Sequence, residues 1–220
     1  MNEKLKKTLI SFDFLKGHVF MRKPILFLKS LEYSKVLSVI PNRISKEKQQ
    51  MAKSVESLNK KLLAAAVSAT KASEIKALLK EGADIHAQNE WGMTPIMLAA
   101  QYNPSVAVLN ALLAAGADIQ EAEPKYRSNA LHLAANKSTS PKIIDALLAA
   151  GADLNARNYL GETPLIMAVN SNPETRVVSE LINKGADINA RDYQGHSVLE
   201  YAKSQKRTYI VNELKKLGAN

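Results

Sequence analysis

No cysteine occurs among the 220 residues, so disulfides and thiolate metal sites are excluded while the redox compartment stays open. Aromatic residues are scarce at 5% of the chain, so any that recur at matching positions carry weight. No apolar run approaches the roughly 20 residues of a membrane-spanning helix. There is no Gly-rich phosphate loop of the Walker type. The four histidines, His18, His86, His132 and His196, are scattered, and none has another at helical i, i+4 spacing. A metal site needs ligands that converge, so no metal is expected. No catalytic constellation and no cofactor motif is present, and an enzyme is not expected.

What the chain does have is a period. Gly-Ala-Asp or Gly-Ala-Asn begins at Gly82, Gly116, Gly151, Gly185 and Gly218, at intervals of 34, 35, 34 and 33 residues. Such a period marks stacked supersecondary units rather than one wound domain. Asn158 to Ala190 shows the logic of a unit. Thr163-Pro164 opens a helix, with a hydroxyl to cap orphan N–H groups and a proline where its missing N–H costs nothing. Asn172-Pro173 breaks the chain. A second helix follows, with Val177, Val178, Leu181 and Ile182 on one apolar face. Gly185 ends it in the left-handed conformation that glycine adopts cheaply. Thr94 to Ala100 and Asn129 to Ala135 open further units, whose second-helix faces are Val108, Leu109, Leu112, Leu113 and Ile143, Ile144, Leu147, Leu148. Asp84, Asp118, Asp153 and Asp187 recur once per unit, so the repeat explains them better than acid–base chemistry does.

At these residues the chain resembles the ankyrin-repeat family, whose hallmark strings are Thr-Pro-Leu-His-x-Ala-Ala and Gly-Ala-Asp-hydrophobic-Asn-Ala. The resemblance covers roughly residues 57 to 220. It implies an all-α solenoid of stacked helix pairs with β-turn fingers, preceded by an extra N-terminal segment. The expected organisation is an extension at 1–56, then a repeat domain at 57–220. Within it fall an N-terminal cap at about 57–88, internal repeats at 89–122, 123–156 and 157–190, and a C-terminal cap at 191–220. Asn59-Lys60-Lys61 and the lysines of the last unit supply the polar outer faces that terminal repeats need. His132 stands at the hallmark His position, where the resemblance implies a structural hydrogen bond between units. Two departures stand out. Each internal unit carries one extra residue between its helices, which costs little. Arg127 replaces the finger glycine of the second internal unit, where Gln120 to Tyr126 also holds one extra residue, so an irregular finger is expected.

The basic character lies in the N-terminal segment. Residues 1–56 hold 12 Lys/Arg and 5 Asp/Glu, and the remainder 18 and 16. Three readings of this segment are open. A secretory signal is opposed by Asp13, Lys16, Lys29, Glu32 and Lys35, which interrupt its apolar stretches. A basic amphipathic segment could make weak contact with an anionic membrane or serve as an export address. A helical or disordered extension, docking loosely or on nothing, is the third. Met21 and Met51 stay open as alternative starts.

The function expected from the resemblance is a non-enzymatic protein–protein interaction module, monomeric and cytoplasmic, whose protein partner the sequence does not name. The alternative is a membrane-associated adaptor or exported effector using the basic segment. Specific nucleic-acid binding is not expected, because the repeats lack a clustered basic face. In ankyrin repeats partners contact the finger tips and the exposed side of the first helices. Carried over, the first internal unit presents Glu90, Trp91, Met93, Gln101 and Tyr102, and the second presents Lys125, Tyr126, Ser128, Asn136 and Lys137. The third presents Tyr159, Leu160, Glu162, Asn170 and Ser171, and the C-terminal cap Tyr193, Gln194 and His196. Each finger carries one aromatic, Trp91, Tyr126, Tyr159 or Tyr193. Such rings are favoured interface anchors, or else shields for the turn beneath them.

Overall fold

Helix starts follow the cap residues. The computed structural model describes residues 30–219, with side chains from 49 onward. The readings of the N-terminal segment that depend on residues 1–29 lie outside the described residues. Thr163 Oγ1 accepts from Ile166 N–H at 3.3 Å and Asn129 Oδ1 from His132 N–H at 3.2 Å. Ser197 and Glu200 form a reciprocal capping box, with Ser197 N–H donating to Glu200 Oε2 at 2.6 Å. Thr94 departs from the expectation: its hydroxyl oxygen is buried with no partner among the described residues.

Ten helices are described: α1 (Ser30–Ser68), α2 (Ala72–Lys80), α3 (Pro95–Tyr102), α4 (Val106–Ala114), α5 (Ala130–Lys137), α6 (Pro141–Ala149), α7 (Pro164–Ser171), α8 (Thr175–Asn183), α9 (Val198–Ser204) and α10 (Thr208–Lys216). No strand occurs among the described residues, only two isolated bridges, Ala122 with Asn129 and Arg191 with Ser197, at the feet of fingers. The repeats lie in the compact unit Gln50–Asn220, and the boundary expected at 56/57 falls inside α1. The first helices α3, α5, α7 and α9 pack in sequence as one layer, and α2, α4, α6 and α8 as a second. This is an all-α repeat solenoid.

One continuous core runs from Leu62 and Ala66 of α1 to Leu214 of α10. In the second helices three of each four stripe residues are fully buried, for example Ile143, Ile144 and Leu147. The fourth (Leu113, Leu148 or Ile182) packs at its edge. Full burial of such a side chain contributes about 1.5–3 kcal/mol.

The Gly-Ala-Asp string has a part for each residue. Gly151 takes φ +94° and lets Ala152 N–H turn back to the Leu147 carbonyl at 3.0 Å, which satisfies a helix-end acceptor. Asp153 Oδ1 then accepts from Asn155 N–H at 2.9 Å, a local turn that Asp84, Asp118 and Asp187 repeat. The longer interhelical loops also do structural work. Asn103 Nδ2 donates to the Ala66 and Ala69 carbonyls, and Asn172 Nδ2 to those of Ala135 and Ser138. Each asparagine thus ties a loop to the end of the preceding unit's first helix. Arg207 makes the corresponding bonds to Ala168 and Val169 from the last unit.

Candidate functional site

Each finger is organised by one acceptor side chain at its start. Asn89 Oδ1 accepts from Trp91 and Met93 N–H, Asn158 Oδ1 from Leu160 and Glu162 N–H, and Asp192 Oδ1 from Gln194 and His196 N–H. The irregular finger holds Glu123 instead. Its carboxylate accepts from Lys125, Tyr126 and Ser128 N–H at 2.7, 2.9 and 3.1 Å. One more methylene in the side chain spans one more residue in the loop, and Arg127 takes the positive φ of 56° that glycine takes elsewhere. The sequence signal for this role is the recurrence of Asn, Glu, Asn and Asp at matching positions.

Neighbouring fingers are locked together. Tyr159 N–H donates to the Tyr126 carbonyl at 2.6 Å, and Tyr193 N–H to the Leu160 carbonyl at 3.0 Å. A Cβ built on Gly92 would lie 2.3 Å from Pro124 Cδ, and one on Gly161 would lie 2.7 Å from Tyr193 Cγ. Gly92 and Gly161 therefore allow the turn and also make room for the next finger.

These elements frame a groove of about 930 Å³ along the first helices and finger bases. It gathers Glu90, Trp91, Met93, Gln101, Tyr102, Lys125, Tyr126, Ser128, Asn136, Leu160, Glu162, Asn170 and Ser171 from the residues expected to bind a partner. It does not include Lys137, Tyr159, Tyr193, Gln194 or His196. Two expected contact residues are not presented as such. Ser128 is buried, with its carbonyl accepting from Glu123 N–H, and Gln101 is buried at the groove floor. Leu133 and Met167 also line the groove and were missed. Their shared position in successive first helices is the signal that would have found them.

The exposed rings fall into two groups. Trp91, Tyr102 and Tyr126 line the groove with 66%, 48% and 42% of their surface exposed. Lys137 Nζ stands 5.8 Å from the Tyr102 ring centre and Lys125 Nζ 4.7 Å from that of Tyr126. Tyr159 and Tyr193 are exposed at finger tips outside the groove, and the Tyr193 ring covers Gly161.

His132 links two repeats. Its Nδ1 lies 2.8 Å from Asn129 Oδ1, and its Nε2 lies 3.0 Å from the Ala156 carbonyl oxygen and 3.2 Å from that of Glu162. Burial pushes its pKa below the ordinary value, against the contrary effect of the two carbonyls. His196 is held at the side of its finger by Asp192 Oδ2 at 3.3 Å. Burial acts to raise the Asp192 carboxyl, but the bonds from Tyr201 and His196 outweigh it and hold the group below its ordinary value. Burial and that same Asp192 bond push the Tyr201 phenol upward. Among the described residues no group of three His, Asp or Glu could hold a metal ion.

Stacked helix pairs, turn fingers and a groove along one layer define a helical repeat protein. The family model described as ankyrin repeats (3 copies) matches residues 62–158 and 138–220. The chain belongs to the ankyrin-repeat family, whose members generally bind other proteins. No curated protein matches it.

Proposed function

We propose that this protein is a non-enzymatic interaction module that captures a protein partner in the groove formed by its first helices and finger bases. The observation that carries this is the groove's aromatic content: a chain with 5% aromatic residues places Trp91, Tyr102 and Tyr126 there, all exposed. Rigid amphipathic rings supply contact area at low entropic cost and dominate interface hot spots. Lining carboxylates Glu90 and Glu162 against the single Lys125 argue against nucleic acid as the occupant.

Affinity capture with the full chain, followed by mass spectrometry, tests the reading. Trp91→Ala and Tyr126→Ala should each weaken capture by about 2 kcal/mol or more while the melting temperature holds. Lys142→Ala, on α6 and exposed, is the control. Unchanged capture in both ring variants rejects the groove as the binding surface.

A further inference from the structure

We propose that the occupant of the groove is a proline-rich segment in the polyproline II conformation carrying at least one Lys or Arg. The inference rests on the groove being the binding surface, and it follows from three complementarities.

The first is hydrogen bonding. Gln101, Asn136 and Asn170 hold equivalent positions near the ends of α3, α5 and α7, and all three line the groove. Asn136 makes no side-chain hydrogen bond among the described residues, and Gln101 is 8% exposed with its Oε1 buried and unpartnered. Asn170 accepts from Gln205 Nε2 at 2.9 Å, which leaves its own Nδ2 hydrogens to donate. Asn136 and Asn170 thus each offer one carboxamide donor from successive repeats, while Gln101 stays buried at the equivalent position of the repeat before them. A proline-rich segment has carbonyl oxygens in abundance and few N–H groups, so it suits these donors.

The second is period. Packed helices lie about 8–10 Å apart. One polyproline II turn of three residues advances about 9 Å, so the same face of the ligand returns at every repeat. In a β-strand successive side chains alternate, and three residues on, the opposite face would meet the next amide. An α-helix has already spent its backbone groups internally. The amide row therefore selects polyproline II.

The third is surface character. Trp91, Tyr102 and Tyr126 give the rings against which pyrrolidine rings pack in aromatic-lined grooves. In the groove wall Glu90 and Glu162 outnumber Lys125, the Glu123 carboxylate being buried and taken up by three backbone N–H groups, although the chain as a whole carries +9. That reversal of sign complements a basic ligand.

Trp91 is the only tryptophan and reports on the groove directly. The full chain is titrated with a synthetic decapeptide of prolines bearing two arginines three residues apart, and Trp91 emission is followed. A saturable blue shift is expected, weakened at least tenfold when glutamates replace the arginines. Asn136→Ala and Asn170→Ala should each bind at least tenfold more weakly with unchanged melting temperature. No shift at millimolar peptide, or equal binding by both amide variants, overturns the proposal. So does tighter binding of a basic amphipathic helical peptide. A partner lost by Trp91→Ala but retained by both amide variants would leave the groove reading standing and overturn this one alone.

Discussion

Asn172 Nδ2 lies 2.9 Å from the Ala135 carbonyl oxygen, so the loop of one repeat closes the helix end of the repeat before it. The bond is buried, and Asn172 also accepts from Glu174 N–H at 2.8 Å to shape its own loop. Ser138 holds the corresponding place one repeat earlier, and its side chain bonds only within its loop, to Ser140. Asn172→Ala should therefore cost about 1–3 kcal/mol, the penalty for unpaired buried carbonyls, and Ser138→Ala clearly less. Urea unfolding of both variants checks this. Equal losses would mean that the bonds across the repeat boundary contribute nothing.

Leu147 is fully buried in α6, at the middle of the stack. Leu147→Ala should cost roughly 2–5 kcal/mol, and the loss should spread to both neighbours because each unit is stabilised through its interfaces. Hydrogen exchange of α4 and α8 amides reports the spread. Protection lost in α6 alone would contradict a continuous core.

Gly151 and Gly161 separate backbone strain from close packing. Both have positive φ, 94° and 78°, but a Cβ at Gly151 meets nothing within 4 Å, whereas one at Gly161 meets Tyr193 Cγ at 2.7 Å. Gly151→Ala should cost about 1–2 kcal/mol from the left-handed conformation alone. Gly161→Ala should cost more, and Gly161→Ala with Tyr193→Ala should recover part of the excess. Thermal melts of the three variants decide it.

His132 should make stability depend on pH in a defined window. Its folded pKa lies below the ordinary 6.5, so below that pH the unfolded chain binds more protons than the folded one. Stability from this group is present in full above pH 6.5 and is lost as pH falls through the folded value. The lowered carboxyls Asp192 and Glu200 enter at still lower pH, beneath their ordinary 3.8 and 4.5. The melting temperature should drop on going from pH 7 to pH 5, and His132→Gln should flatten that slope. An unchanged slope in the variant would remove His132 as its source.

The helix pairs, their order and their fully buried residues were legible because each rests on local chemistry. A cap residue, a proline, an apolar stripe and a glycine stop follow one another within a single repeat, as Thr163, Pro164, Val177 and Gly185 do. The groove was legible in part. Trp91 and Tyr126 could be placed on it by register, but Gln101 and Ser128 could not be known to be buried, since burial depends on the side chains of the next unit.

What needed the folded chain is what happens between repeats. That Tyr193 covers Gly161, leaving the groove to Trp91, Tyr102 and Tyr126, follows from how one finger leans on the next. That Glu123 can organise a finger one residue longer is a matter of reach through space. The period alone required a stack, because a unit of two short helices cannot bury its apolar stripe without a neighbour. The shape of the groove was left to packing, because residues about 34 positions apart meet only when the units are stacked.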